Sequence, residues 1–120
     1  MIIVYDSLTG LGKQFAEGLG YPIQSIDLAI EEPCILVTRN VGLGNIPDTT
    51  SLFLDKHRTY VKGVVVNGSK RFGPFYCKAG DKINKLYKIP VIRKISGAGN
   101  QKDLEAVREY ITAKELLQKR

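Results

Sequence analysis

The amino-acid sequence predicts an α/β domain in which helices cover both faces of a parallel sheet. Three observations carry that prediction. The apolar runs Ile2-Ile3-Val4, Cys34-Ile35-Leu36-Val37, Val64-Val65-Val66 and, after Pro90, Val91-Ile92 are rich in β-branched residues and continuous instead of alternating, the pattern of strands buried on both faces. The segments between them have helical period and the length of crossover connections. The 120 residues, 43% of them hydrophobic, suffice for one core and are too few for two, so residues 1–120 are expected to form a single domain without help from disulfides or a structural metal.

Taken in order, Ile2-Ile3-Val4 opens the sheet, and Phe15 and Leu19, four apart, mark a first helix that ends at Gly18 and Gly20. Ile23 to Asp27 alternates apolar with polar residues, as an edge strand does. After the Cys34 run, Pro47-Asp48 opens a helix carrying Leu52 and Lys56; after the Val64 run comes a helix with Ile83, Leu86 and Tyr87 at spacings of three and four. The Val91 run is followed by Leu104, Val107 and Ile111, a last helix with Asp103 and Glu105 in its first turns. Asp48 and Asn100 are expected N-caps. The order β-α-β-β-α-β-α-β-α, wound right-handed, gives a flavodoxin-like three-layer α/β/α sandwich with a five-stranded parallel sheet of order 2-1-3-4-5. In such a sheet ligands bind outside the carboxyl ends of the strands, at the switch point beside the first strand.

Composition narrows the function. Eighteen Lys plus Arg against twelve Asp plus Glu give a net charge of +6, which suits an acidic partner, an anionic ligand or simply a soluble surface. No five like charges adjoin, and Lys114 to Arg120 has the look of a solvated helix end. There is no basic helix or aromatic ladder arranged for nucleic acid, and no apolar run approaches the length of a membrane span, so neither nucleic acid nor membrane is an expected partner. Met1 to Asp6 leads directly into a strand with no signal-peptide pattern, and the two cysteines are unpatterned, which together point to the cytoplasm.

Glycine and small polar residues gather after the strands, at the ligand-binding end. After the first comes Asp6-Ser7-Leu8-Thr9-Gly10-Leu11-Gly12-Lys13, where the Ser7 and Thr9 hydroxyls and a helix N-terminus offer an anion cradle or an ordinary capped turn. It is neither a P-loop nor a dinucleotide fingerprint, because the required glycine spacings are missing. After the third strand, Asn40, Val41, Gly42, Leu43 and Gly44 form a loop whose glycines let a peptide turn over. After the fourth come Asn67, Gly68, Ser69, Lys70, Arg71, Phe72 and Gly73, with Phe75 expected to fold back into the core and Phe72 to present an aromatic plane. Ser96 to Asn100, including Gly97 and Gly99, follows the fifth. An anion cradle, backbone-rich walls and an aromatic plane describe a phosphorylated flat heterocycle, and FMN fits best. His57, between Lys56 and Arg58, is expected at the surface; Cys34 is expected to be buried and inert; Cys77, near a helix start that could depress its pKa, is expected to serve in packing.

These residues resemble the NrdI family, the small flavodoxin-like proteins that serve class Ib ribonucleotide reductase. The landmarks are Tyr5-Asp6-Ser7-Leu8-Thr9-Gly10, Leu36-Val37-Thr38, Gly42-Leu43-Gly44-Asn45-Ile46-Pro47, Phe53-Leu54, Gly63-Val64, Gly68, Gly73, Asp81-Lys82-Ile83, Tyr87 with Ile89-Pro90, and Gly99 with Lys102-Asp103-Leu104. The resemblance implies an FMN protein that is reduced by a flavin-reducing reductase or a thiol redox protein and then reacts with dioxygen. The oxidant, superoxide, would pass to the dimanganese small subunit (NrdF), where a tyrosyl radical is made. By the same likeness Ser7, Leu8, Thr9, Gly10 and Leu11 would hold the phosphate. The loop of Asn40, Val41, Gly42, Leu43 and Gly44 and that of Asn67, Gly68, Ser69, Phe72 and Gly73 would flank the isoalloxazine, and the Gly99 loop would close the far side.

Phe72 stands where the family commonly has a stacking Trp, and either ring offers an apolar face. Leu11 and Gly12 replace an Asn and its neighbour, Asn67 and Ser69 a Ser and an Asn, Pro74 an acidic residue or Asn, and Ser96-Gly97 an acidic and an apolar residue. Leu11 removes a side-chain hydrogen bond to phosphate, so FMN binding is expected to weaken by about 1 kcal/mol. Arg39, Lys70, Arg71 and Arg93 fall in or beside these loops, either as free surface side chains or as a ring about the flavin that would favour its anionic reduced form and attract superoxide. A generic flavodoxin-type electron carrier shares the fold and cofactor, and a flavin-free nucleic-acid module is a further alternative. A receiver domain would need clustered acids at the strand ends, where Asp6 is nearly alone.

Overall fold

The computed structural model describes residues 1–118. Five strands, β1 (Ile2–Tyr5), β2 (Ile23–Ser25), β3 (Cys34–Arg39), β4 (Val61–Gly68) and β5 (Val91–Ser96), form one sheet of order β2-β1-β3-β4-β5, with every neighbouring pair parallel. Four helices connect or follow them: α1 (Leu11–Gly18), α2 (Asp48–His57), α3 (Lys78–Tyr87) and α4 (Gln101–Gln118). The predicted order of elements and the flavodoxin-like sheet are both observed. Short 3-10 turns at Arg58–Tyr60 and Lys70–Phe75 were not predicted.

The continuous apolar runs are buried on both faces because successive strand side chains point to opposite sides of the sheet. Val4, Leu36, Val64 and Val66 face one core, filled by Phe53 and Leu54 of α2 and by Ala79 and Ile83 of α3. Ile3, Ile35, Val37 and Val65 face the other, filled by Phe15 and Ala16 of α1 and by Val107 and Ile111 of α4. Registers such as Ile3 against Ile35 and Leu36 against Val64 place like faces together. The carboxyl ends of β1, β3 and β4 therefore lie side by side, and the loops that leave them converge.

Local chemistry sets the helix limits. Gly18 is the last residue of α1 and Gly20 takes φ +84°, as the glycine stops predicted. Asn100 caps α4: its Oδ1 accepts from Asp103 N, while Asp103 Oδ2 accepts from Asn100 N, each at 2.9 Å, a reciprocal capping box. Asp48 is not a cap. It is the first residue of α2, preceded by Pro47, and no side chain caps that helix end. Leu52 and Leu86 share the helical period but stand 62% and 65% exposed, since Phe53, Leu54 and Ile83 already fill the sheet-facing stripe. At the end of α4, Leu116 and Leu117 are exposed, and the expectation for residues 119 and 120 lies outside the described residues.

Candidate functional site

The loops after β1, β3, β4 and β5 enclose a cleft of about 470 Å³. One end is polar. Ser7 Oγ accepts a hydrogen bond from Gly10 N at 3.0 Å, and Gly10, with φ +88°, turns the chain into α1. The Ser7 and Thr9 hydroxyls stand there beside the start of the helix, where backbone N–H groups lack intrahelical acceptors. Lys13 is turned away, its ammonium 5.7 Å from the centre of the Tyr5 ring. Phe72, 47% exposed, and Leu8, 79% exposed, add apolar surface to the lining.

Of the residues predicted for the site, Ser7, Leu8, Thr9 and Leu11 line the cleft from the first loop. Asn40 and Gly42 line it from the second, and Asn67, Gly68, Ser69 and Phe72 from the third. Six others do not line it. Gly10 supplies the turn. Val41 pairs with Asn45 in a two-way backbone bridge, which makes residues 41–45 a tight hairpin with Leu43 exposed at its tip. Gly44 backs onto α3, where a Cβ would come within 2.7 Å of Lys78 Cβ. Gly73, exposed at φ +53°, makes a kink within the 3-10 turn. Gly99 lies against the core, and a Cβ there would meet Phe15 Cδ1 at 2.7 Å; Ser96 and Gly97 line the cleft from the last loop instead.

The cleft also draws in Asp6, Gly12 and Thr38, which sequence reasoning did not assign to it. Asp6 Oδ2 accepts from both Thr49 and Thr50 of α2, the latter at 2.7 Å, and its Oδ1 lies 3.5 Å from the Arg39 guanidinium. Thr50 Oγ1 is also 2.6 Å from Thr38 Oγ1. Thr50 has one proton and gives it to Asp6, so Thr38 is the donor to Thr50. The signal that could have found this network is the pair of hydroxyls at the start of α2, together with an acid at the end of the first strand.

The expected ring of four cations reduces to two. Arg39 and Arg71 line the cleft, whereas Lys70 and Arg93 line a neighbouring groove of about 690 Å³ beside β5. Arg93 Nε is 2.8 Å from Asp103 Oδ1 and so is held away from the cleft. Arg39 Nε is buried and has no hydrogen-bond partner among the described residues.

Both cysteines are buried and free. Burial pushes the Cys34 thiol up to about 12 and raises that of Cys77 as well, so the start of α3 does not depress it. The Cys77 Sγ–H instead points to Val66 O at 3.2 Å. Phe75 is half-buried with Lys78 5.9 Å over its ring, and the aromatic packed against the core is its neighbour Tyr76. His57 ends α2, half-buried, its ring 5.0 Å from that of Phe53. Among the described residues no group of three or more His, Cys, Asp or Glu is placed to hold a metal ion.

These features fit FMN. The volume lies within the range of small-ligand clefts, the first loop offers hydroxyls and a helix N-terminus to a phosphate, and Phe72 offers a ring face. Arg39 and Arg71 line the same cleft and bring guanidinium groups to it, donors of the kind that a heterocycle bearing carbonyls accepts from.

A family model described as NrdI flavodoxin-like matches residues 3–109. The chain belongs to the NrdI family. It is 38% identical over 122 residues to the protein NrdI of Macrococcus caseolyticus, covering 93% of this chain and 95% of that one. It is 33% identical over 114 residues to the protein NrdI of Deinococcus radiodurans, covering 91% and 81%. Among solved structures it superposes with a TM-score of 0.70 on a short-chain flavodoxin associated with a non-canonical PDU bacterial microcompartment, over 91% of each chain. On Fusobacterium nucleatum flavodoxin bound to flavin mononucleotide the score is 0.60, over 95% of each chain. At 17% sequence identity these two structures speak for the fold alone.

Proposed function

We propose that this NrdI-family chain binds FMN in the cleft and acts as the redox activator of class Ib ribonucleotide reductase. Reduced by a flavin-reducing reductase or thiol redox protein in the cytoplasm, it reacts with dioxygen and delivers superoxide to the dimanganese small subunit, NrdF, for tyrosyl-radical assembly. One observation carries the reading: a single cleft at the carboxyl ends of β1, β3 and β4 joins an anion cradle to an exposed aromatic face, in a chain of this family. Bound FMN would supply one-electron transfer to dioxygen. Ser7, Thr9 and the first turn of α1 would hold the phosphate through neutral donors, and Phe72 would lie against the ring. Arg39 and Arg71 would add positive charge where the reduced ring gains negative charge, lowering its energy by proximity.

The purified protein is expected to be yellow, or to take up FMN when it is added. After reduction and exposure to oxygen, it is expected to raise the tyrosyl-radical yield of manganese-loaded small subunit, measured by electron paramagnetic resonance. A protein that binds FMN but leaves that yield at the level of the untreated subunit would be an electron carrier. A protein that binds no FMN would end both readings.

A further inference from the structure

Both polar atoms of the Asn40 amide are held by protein partners, although the residue lines the cleft. Its Nδ2 donates to Phe75 O at 2.8 Å, and its Oδ1 accepts from Ala79 N at 2.9 Å. The partners fix the orientation of the amide, since a carbonyl can only accept and a backbone N–H can only donate. Its own N–H donates to Asn67 O at 3.1 Å. One residue thus ties the end of β3 to the end of β4, to the 3-10 turn that carries Phe72, and to α3.

Each tie meets a local need. Cys77, which precedes α3, sits at φ +51° and caps nothing with its side chain, so Ala79 N at the first turn has no local acceptor. Asn40 supplies one from 39 residues away. A Cβ on Gly68 would come within 3.2 Å of Asn40 Nδ2, so the amide packs directly beneath the opposite wall. The 41–45 hairpin leans on the same helix, with Gly44 against Lys78 and Asn45 Oδ1 accepting from Lys82 Nζ at 2.8 Å.

We propose that Asn40 is a positioning residue that sets the gap between the 41–45 hairpin and the 68–75 wall, and that it is not itself a ligand of the cofactor. The proposal deepens the reading that this cleft holds FMN. Asn40→Asp and Asn40→Ala separate the two bonds. Asp keeps an acceptor for Ala79 N, favourably charged at a helix N-terminus, but loses the donor to Phe75 O. Ala loses both.

The experiment has two arms. In flavin-free protein, amide hydrogen exchange followed by NMR should show Ala79 deprotected in Asn40→Ala and still protected in Asn40→Asp. Titration with FMN should show affinity reduced about tenfold in both variants, while the thermal midpoint of Asn40→Asp falls less than that of Asn40→Ala, since Asp keeps the bond to Ala79 N. In the parent, the Asn40 side-chain amide signals should keep their positions through the titration while the Ser7 and Thr9 backbone amides move.

Unchanged FMN affinity in Asn40→Asp would overturn the proposal. So would Asn40 side-chain signals that move as far as those of Thr9, which would make it a ligand. If the parent takes up no FMN, the cofactor reading falls, and the exchange arm still decides whether Asn40 holds the walls together: unaltered Ala79 protection in Asn40→Ala would refute it.

Discussion

Replacing Asp6 by Asn is expected to cost about 2–3 kcal/mol, and the sum follows from what its carboxylate holds. Two hydroxyls, from Thr49 and Thr50, converge on Oδ2, and Arg39 approaches Oδ1 at 3.5 Å. Hydrogen bonds to a charged acceptor contribute roughly 1 kcal/mol more than neutral ones, so neutralising the acceptor weakens the pair of them by about 2 kcal/mol. The ion pair adds about 0.5 kcal/mol, discounted because the Arg39 side chain is 25% exposed and the contact is long. If the Asn oxygen took the place of Oδ2, the new NH2 group would face a guanidinium with nothing to accept its protons. If it flipped, the two threonine hydroxyls would have to reverse, and with them the Thr38 to Thr50 bond. At about 4 °C per kcal/mol for a domain of this size, the melting midpoint should fall by about 8–12 °C. Urea unfolding of Asp6→Asn, Thr50→Val and the double variant would measure the coupling, expected near 1 kcal/mol. A single variant melting within about 2 °C of the parent would show that the carboxylate charge is not what the hydroxyls hold.

Further outcomes are expected at the cleft and in the core. Thr9→Ala should weaken FMN binding about fivefold and leave riboflavin binding unchanged, read by quenching of flavin fluorescence, because Thr9 lines the cleft beside the start of α1, where the phosphate is proposed to sit. Gly42→Ala and Gly44→Ala should each lose about 1 kcal/mol or more to their positive φ. Gly44→Ala should lose more, since its Cβ also meets Lys78 at 2.7 Å, and equal denaturation midpoints for the two would contradict that packing. Both thiols should resist alkylation at pH 8 until the chain is unfolded, because burial holds them protonated. Above pH 9 the unfolded chain can ionise Cys34 while the native one, with its thiol at about 12, cannot. The native state then binds more protons, so stability is full below pH 9 and declines as pH climbs towards 12. Cys34→Ala should flatten that decline in alkaline urea titrations.

The order of elements could be read from the chain because strand burial and helical period are local patterns. A run such as Val64-Val65-Val66 can satisfy two cores only from the interior of a sheet, and glycines after the strands mark turns whatever surrounds them. Asn100 as the N-cap of α4 was legible for the same reason, as its partner Asp103 lies within one turn, although the reciprocal bond from Asp103 was not read. What the chain did not disclose depends on contacts between distant residues. Asn40 and Gly44 look alike as loop residues, yet one faces the cleft and ties its walls while the other is sealed against Lys78. Arg93 seemed free until α4 brought Asp103 to 2.8 Å, and Asp6 seemed solitary until α2 laid two hydroxyls on it. Periodicity and turn chemistry act over a few residues and so are written along the sequence. Which side of a loop meets ligand, which charge is cancelled and which donor is left unmet are fixed only when the sheet brings its strand ends side by side.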